Sequence, residues 1–184
     1  MKKLLHASIL LGMILVSCKT TLPPRDTRPP EFILKIIGDG LNEEITEDFD
    51  FDNKALYLRR EASYRVIFTF TDQGGLKEMS WIYSAGVISL GGETTAAGFL
   101  SIANSGDPYK QQRKWIPLLP DDSGEVYRSN IITYTDFKAI GRPPSGSIDN
   151  YEWEIVITDM RDNITNRKLV LRITDEPSRI GSID

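Results

Sequence analysis

The chain has 184 residues, with 22 basic and 26 acidic side chains and a formal net charge of −4, and that length is enough for one well-cored domain. A surface of that sign is a poor match for nucleic acid or anionic headgroups, which need clustered Lys and Arg. One histidine, His6, and one cysteine, Cys18, allow no internal disulfide and leave little material for imidazole or thiolate chemistry.

The first residues have the three parts of a secretory signal. Lys2 and Lys3 give a positive start, Leu4 to Val16 an apolar stretch broken only by His6, Ser8 and Gly12, and small Ser17 precedes Cys18. So short a run, without stop-transfer charges, predicts a signal and not a spanning helix. Leu15-Val16-Ser17-Cys18 resembles the lipobox of bacterial lipoproteins, where an aliphatic residue and two small ones precede the modified cysteine. The resemblance implies a signal peptide over residues 1–17, cleavage before Cys18, and acyl chains on Cys18 that hold the protein to a membrane. Two or three chains suffice, since each buried methylene contributes about 0.8 kcal/mol. Lys19 stands where inner-membrane retention would favour Asp in some bacteria, so outer-membrane sorting is expected. Residues 18–30 carry Pro23, Pro24, Pro29 and Pro30 and form a semi-rigid tether.

Cleavage changes the chemistry. Loss of Lys2 and Lys3 leaves 20 basic against 26 acidic residues, a net of −6, and His6 leaves with them. With Cys18 acylated, the mature chain has neither imidazole nor free thiol. That excludes Ser-His-Asp and Cys-His catalysis, His general bases, and zinc sites of the His or Cys type. Carboxylate, Tyr, Lys or Ser–Lys chemistry would remain.

Period-two alternation dominates the rest, and no window offers a helical stripe. Glu31 to Ile37 is a predicted strand, followed by a Gly38-Asp39-Gly40 turn. Asn42 to Asp52 is rich in carboxylates; Asp48-Phe49-Asp50-Phe51-Asp52 alternates as an acidic edge strand with its aromatics inward. Ala55 to Arg59 is a short strand. Ser63 to Thr71 sets Tyr64, Val66, Phe68 and Phe70 on one face, and Gln73-Gly74-Gly75 turns into Leu76 to Ser84, with Met79, Trp81 and Tyr83 on one face. That pair is the chain's best hairpin signal.

Val87 to Leu90, Thr94 to Ala103, Arg113 to Leu119 and Val126 to Tyr134 are further strands. Gly91-Gly92, Ser105 to Pro108 and Pro120 to Gly124 separate them. Tyr151 to Thr158 and a last strand with Leu169, Leu171 and Ile173 inward complete the domain, taken as residues 31–175; residues 176–184 form a polar, loose tail. Phe70-Thr71-Asp72, Tyr134-Thr135-Asp136, Ile157-Thr158-Asp159 and Ile173-Thr174-Asp175 share a strand-end pattern, with Thr outward and Asp starting a turn.

Many short strands with turn signals predict an all-β sandwich or barrel. The segments 64–76 (YRVIFTFTDQGGL) and 151–165 (YEWEIVITDMRDNIT) resemble paired strands of bacterial immunoglobulin-like and cadherin-like domains. With the lipobox, the whole is similar to a Bacteroidetes-type lipoprotein carrying such a domain. The resemblance implies an antiparallel β-sandwich. Its middle region, between Ser84 and Asn150, is enlarged over the family's two or three strands, by extra strands or by a binding insertion.

In such a sandwich the turns after Thr71 and Thr158 share one end, where Asp72, Asp159, Asp162 and Asn163 could supply oxygen ligands for calcium. Cadherin-like domains place calcium at such ends, so the resemblance implies the site; alternatively each Asp caps its own turn. Trp81 and Trp153 are expected in the core. Trp115, in Gln111-Gln112-Arg113-Lys114-Trp115 and near Tyr109, is either a sugar-stacking platform or a strand-edge cover for the core.

The functional expectation is a membrane-anchored, non-enzymatic envelope protein that binds a glycan or a protein partner and no nucleic acid. A structural accessory subunit of an envelope assembly and a carboxylate glycosidase are the alternatives.

Overall fold

The computed structural model describes residues 27–94, 99–107, 110–117, 129–141 and 151–183. The described residues form twelve strands that alternate with turns, and they contain no helix. In chain order they are β1 (Glu31–Gly38), β2 (Leu41–Ile45), β3 (Lys54–Arg59), β4 (Ser63–Thr71), β5 (Leu76–Ser84), β6 (Ile88–Thr94), β7 (Phe99–Asp107), β8 (Lys110–Pro117), β9 (Asn130–Ala139), β10 (Tyr151–Asp159), β11 (Ile164–Thr174) and β12 (Arg179–Ser182).

Two sheets form an immunoglobulin-like β-sandwich: five strands in the order β2-β1-β4-β9-β6, and seven in the order β12-β3-β11-β10-β5-β8-β7. Every pairing is antiparallel except β3 with β11. Alternation decides what lies between the sheets. Phe32, Leu34 and Ile36 of β1, and Val66, Phe68 and Phe70 of β4, are buried from one side. Met79, Trp81 and Tyr83 of β5, and Trp153, Ile155 and Ile157 of β10, are buried from the other. Rings meet across the gap: Phe68 lies 5.2 Å from Trp81 and 5.5 Å from Trp115, and Phe137 lies 5.4 Å from Trp153.

The expected hairpin of residues 63–84 is corrected by the topology. The strand bounds are as predicted, but β4 pairs with β1 and β9, while β5 pairs with β10 and β8. The turn through Gly74 and Gly75 therefore carries the chain from one sheet to the other. Two strands with full apolar faces bury more by facing each other across a core than by lying side by side. The second quoted segment is a true hairpin, β10 with β11.

Among the described residues the enlarged middle holds four strands, two to each sheet. β6 and β9 extend the five-stranded sheet, β7 and β8 the seven-stranded one. Gly91-Gly92 and Ser105-Gly106 do not end strands. They lie at register irregularities inside β6 and β7, where an extra residue is absorbed as a bulge.

Two further expectations change. Residues 48–52 are not a strand but consecutive turns. Phe49 N bonds to Thr46 O at 3.1 Å, Lys54 N to Asp50 O at 3.0 Å, and the Asp50 carboxylate accepts Asn53 N. Asp caps such turns more readily than it extends a ladder. The aromatics still turn inward, with Phe49 and Phe51 rings 5.0 Å apart and packed on the core. The tail is partly ordered too: Arg179–Ser182 pairs with β3. The guanidiniums of Arg172 and Arg179 lie 5.6 and 4.5 Å from the Tyr57 ring. A Cβ at Gly181 would come within 3.0 Å of that ring, so glycine permits the close approach.

The tail is pinned at its start. Ser178 Oγ donates to Asp39 Oδ2 at 2.7 Å and lies 2.6 Å from the Tyr64 hydroxyl, which also accepts Arg59 N at 2.9 Å. Donation from Ser178 holds the Asp39 carboxyl below its ordinary pKa, while burial pushes the Tyr64 phenol up.

Candidate docking face

An antiparallel sheet with one face on a core ordinarily turns polar side chains to water on the other. The outer face of the five-stranded sheet departs from that rule. Its register sets outward residues of β1, β4 and β9 in rows: Glu31–Thr71–Asn130, then Ile33–Thr69–Ile132, then Lys35–Ile67–Tyr134, then Ile37–Arg65–Asp136. Four of these are isoleucines, and three are well exposed: Ile33 at 40%, Ile37 at 38% and Ile132 at 56%.

The charges among them are already matched. Arg65 forms a two-pronged bond to Asp136, Nε to Oδ1 at 2.6 Å and Nη2 to Oδ2 at 2.8 Å, and its guanidinium lies 4.4 Å from the Tyr134 ring centre. That bonding lowers the Asp136 carboxyl below its ordinary pKa and raises Arg65. Lys35 pairs with Glu44 of β2 at 2.9 Å. Beside the clamp, a groove of about 600 Å³ is lined by Ile37, Arg65, Ser89, Gly91, Asp136 and Lys138. A Cβ at Gly91 would lie 3.3 Å from the Asp136 carbonyl oxygen, so bare backbone lets β6 close this wall.

Of this face, Thr71, Tyr134 and Asp136 fell within a pattern noted from the sequence, and Asp136 was expected there to start a turn. Tyr134-Thr135-Asp136 lies inside β9, with Thr135 buried and Asp136 facing Arg65 across the ladder. The signal was present: Ile131, Thr133, Thr135, Phe137 and Ala139 keep the period well past Asp136.

The turns expected to share an end do so, since Met160 N bonds to Gly75 O at 2.8 Å. Their acidic residues are engaged separately. Buried Asp159 accepts Arg161 N at 2.8 Å and Asn163 N at 2.7 Å on Oδ1, and Asn163 Nδ2 at 2.7 Å on Oδ2. Asp162 accepts Lys77 Nζ at 2.6 Å, which raises the lysine's pKa. Asp72 is buried at the β4 end and borders a polar cavity of about 430 Å³ with Arg28, Glu31 and Gln73. Among the described residues no three His, Cys, Asp or Glu side chains group as metal ligands.

Of the two readings of Trp115 the structure has the core one: it is fully buried, 5.5 Å from Phe68 and 6.0 Å from Phe70, and presents no ring to a sugar. Its polar neighbours in sequence do not surround it, because alternate residues of β8 point outward while Trp115 points in. Tyr109 and Cys18 lie outside the described residues.

On the seven-stranded sheet, Glu152 and Glu154 border a pocket of only about 130 Å³ beside Lys110. Glu152 pairs with Lys168 at 3.7 Å, and Glu154 accepts Asn166 Nδ2 at 3.0 Å. Both sit two apart on one strand, and among the described residues lining this pocket there is no carboxylate opposite them of the kind glycoside hydrolysis uses.

No protein-family model matches the chain, and no curated protein matches it. Solved structures give distant likenesses. A cohesin module from a Clostridium perfringens family 33 glycoside hydrolase aligns at 9% identity over 66% of this chain and 97% of that one, with a TM-score of 0.38. ACE19, the collagen-binding subdomain of an Enterococcus faecalis surface protein, gives 12% identity over 70% and 99%, with a TM-score of 0.37. BcpA, the major pilin subunit of Bacillus cereus, gives 14% over 80% of this chain but 41% of that one, with a TM-score of 0.42. Scores this low carry nothing about partner or activity, and the fold stands on the two sheets themselves.

Proposed function

We propose that the chain is an envelope lipoprotein, anchored through lipid on Cys18, whose sandwich is a non-enzymatic module that binds a protein on the outer face of its five-stranded sheet. One observation carries the reading: Ile33, Ile37, Ile67 and Ile132 share a solvent-facing surface where polar residues are the rule. Covering one such side chain is worth about 1.5–3 kcal/mol, so three or four could drive association once its entropy cost is met. A protein suits this face better than a glycan. The one tryptophan put forward for sugar stacking is buried, and Tyr134 already carries the Arg65 guanidinium on its ring.

Two substitutions test the two halves of the proposal. Cys18→Ser should release the protein from membranes on detergent partitioning; continued membrane association would remove the anchor. Ile132→Glu should abolish the complex seen by cross-linking in intact cells. Ile164→Glu, at an isoleucine of matched exposure on the other sheet (57% against 56%), should not. Equal loss from both variants would show that no particular face is involved.

A further inference from the structure

Resting on that reading, we infer that the partner on this face is a second copy of the same chain, packed about a two-fold axis that runs along β4. The register supplies the first reason. Ile33 and Ile132 lie in one row, one strand to either side of Thr69 on β4. Rotation about an axis along β4 sets Ile33 of each copy over Ile132 of the other, and Thr69 over Thr69. Lys35 then falls over Tyr134, and Glu31 over neutral Asn130. A two-fold contact of this kind must be self-complementary, and the first three rows of this grid are; in the fourth, Ile37 falls over Asp136 and Arg65 over Arg65. Arg65 is the one cation on the axis strand. It is drawn toward β9 by Asp136, which balances its charge.

Charge supplies the second reason. A chain of net −4, or −6 after cleavage before Cys18, repels its own copies over most of its surface. On this face each ionic group near the centre is matched in place, Arg65 by Asp136 and Lys35 by Glu44. Such a surface asks for no opposite charge from a partner.

Area and direction complete the case. Five strands about 4.8 Å apart, and rows spanning about 25 Å, give a face on the order of 600 Å², close to the roughly 800 Å² per partner of a standard interface. The chain enters β1 at Glu31, beside Thr71, so the tether leaves at the end where β4 finishes. An axis along β4 keeps both tethers at that same end. Both copies can therefore be anchored in one membrane, with the isoleucine face looking sideways toward its neighbour.

The test uses the full-length chain in intact cells. Thr69→Cys places a thiol on the axis, and a short bis-maleimide should join two copies into a covalent dimer. The unsubstituted chain should give none, since lipid on Cys18 blocks its thiol. Ile132→Glu in the Thr69→Cys background should cut the dimer about tenfold or more, by setting a carboxylate against an isoleucine. Adding Ile33→Glu with Ile132→Lys in its place should restore the dimer, because each new charge then meets its opposite across the axis. Cross-linking only to a different protein would keep the docking face but overturn the second copy. Absence of any product would remove both. A dimer insensitive to Ile132→Glu would show chance collision and overturn the inference. Product from the unsubstituted chain would mark Cys18 as unlipidated, and the same series would then be read in a Cys18→Ser background.

Discussion

The two outer faces of this sandwich are built by the same alternation and end up opposite in character. On the seven-stranded sheet the outward positions pair across strands through charge and amide: Lys114 with Glu78 at 2.8 Å, Lys168 with Glu152, Gln112 with Ser80 at 3.0 Å. Among the described residues, its one large exposed aliphatic, Ile164, stands at the start of β11. On the five-stranded sheet the isoleucines hold the middle, and the ion pairs are tied to neighbours at their side. One face is arranged to stay in water and the other to leave it.

The comparison depends on a single core beneath both faces, and breaking that core gives the largest effect. Trp153 is buried, 5.1 Å from Trp81 and 5.4 Å from Phe137. It touches rings from both sheets. Trp153→Ala should cost about 3–5 kcal/mol, read as a lower denaturant midpoint, with dimer cross-linking and fold lost in one transition. Separate transitions would mean that the two sheets are held independently.

A smaller loss should strike one sheet alone. Asp159→Ala removes the acceptor for two backbone amides in the β10–β11 turn and should cost about 1–3 kcal/mol. The docking face lies on the other sheet, so cross-linking through Thr69→Cys should survive. Loss of the dimer in a protein that is still folded would tie the seven-stranded rim to docking.

Third comes the matched pair. Ile132→Glu and Ile164→Glu should each change stability by no more than about 0.5 kcal/mol, as exposed positions do, measured on protein kept monomeric by dilution. Only the first should abolish association. Equal behaviour would erase the distinction between the faces.

Much of this architecture is legible from the residues alone. Ser63–Thr71 and Leu76–Ser84 have the predicted bounds, because Val66, Phe68, Met79 and Trp81 repeat every second residue between turn formers. Their partners are not legible, since alternation shows which face is buried and not across what. The acidic residues 48–52 keep a period of two for want of anything else between short turns, so periodicity overcalled a strand there. The docking face was overlooked for a simpler reason. Ile33, Ile67 and Ile132 stand at the polar phase of their strands, where an aliphatic residue is easily passed over. For Trp115 the sequence left two readings open, because its polar neighbours in sequence are not its neighbours in space.

Acid should sharpen the contrast with a still smaller change. Arg65 holds Asp136 below the ordinary carboxylate range. A depressed pKa means the clamp contributes fully above the ordinary value, near 4, and is lost as pH falls through the lower folded value. Below that point Arg65 lies uncompensated on the docking face, so the dimer should weaken. Asp39 titrates in the same direction but sits at the tail anchor. Asp136→Asn separates them: the dimer should lose its acid sensitivity, while the loss of the Asp39–Ser178 contact in acid stays.

The smallest expected effect is none at all. Asp159 spends both oxygens on Arg161 and Asn163, and Asp162 spends one on Lys77. Chelator should then leave the melting temperature where it was. The experiment has power because a bound ion could not hide. A site at a hundred times its dissociation constant adds about 2.7 kcal/mol, which in a domain of this size moves the midpoint by several degrees. A drop of that order on chelation, reversed by calcium, would mean that these carboxylates exchange their amide and lysine partners for a metal. The end of the sandwich nearest the tether would then be a cation site, and the five-stranded face would no longer be the molecule's one specialised surface.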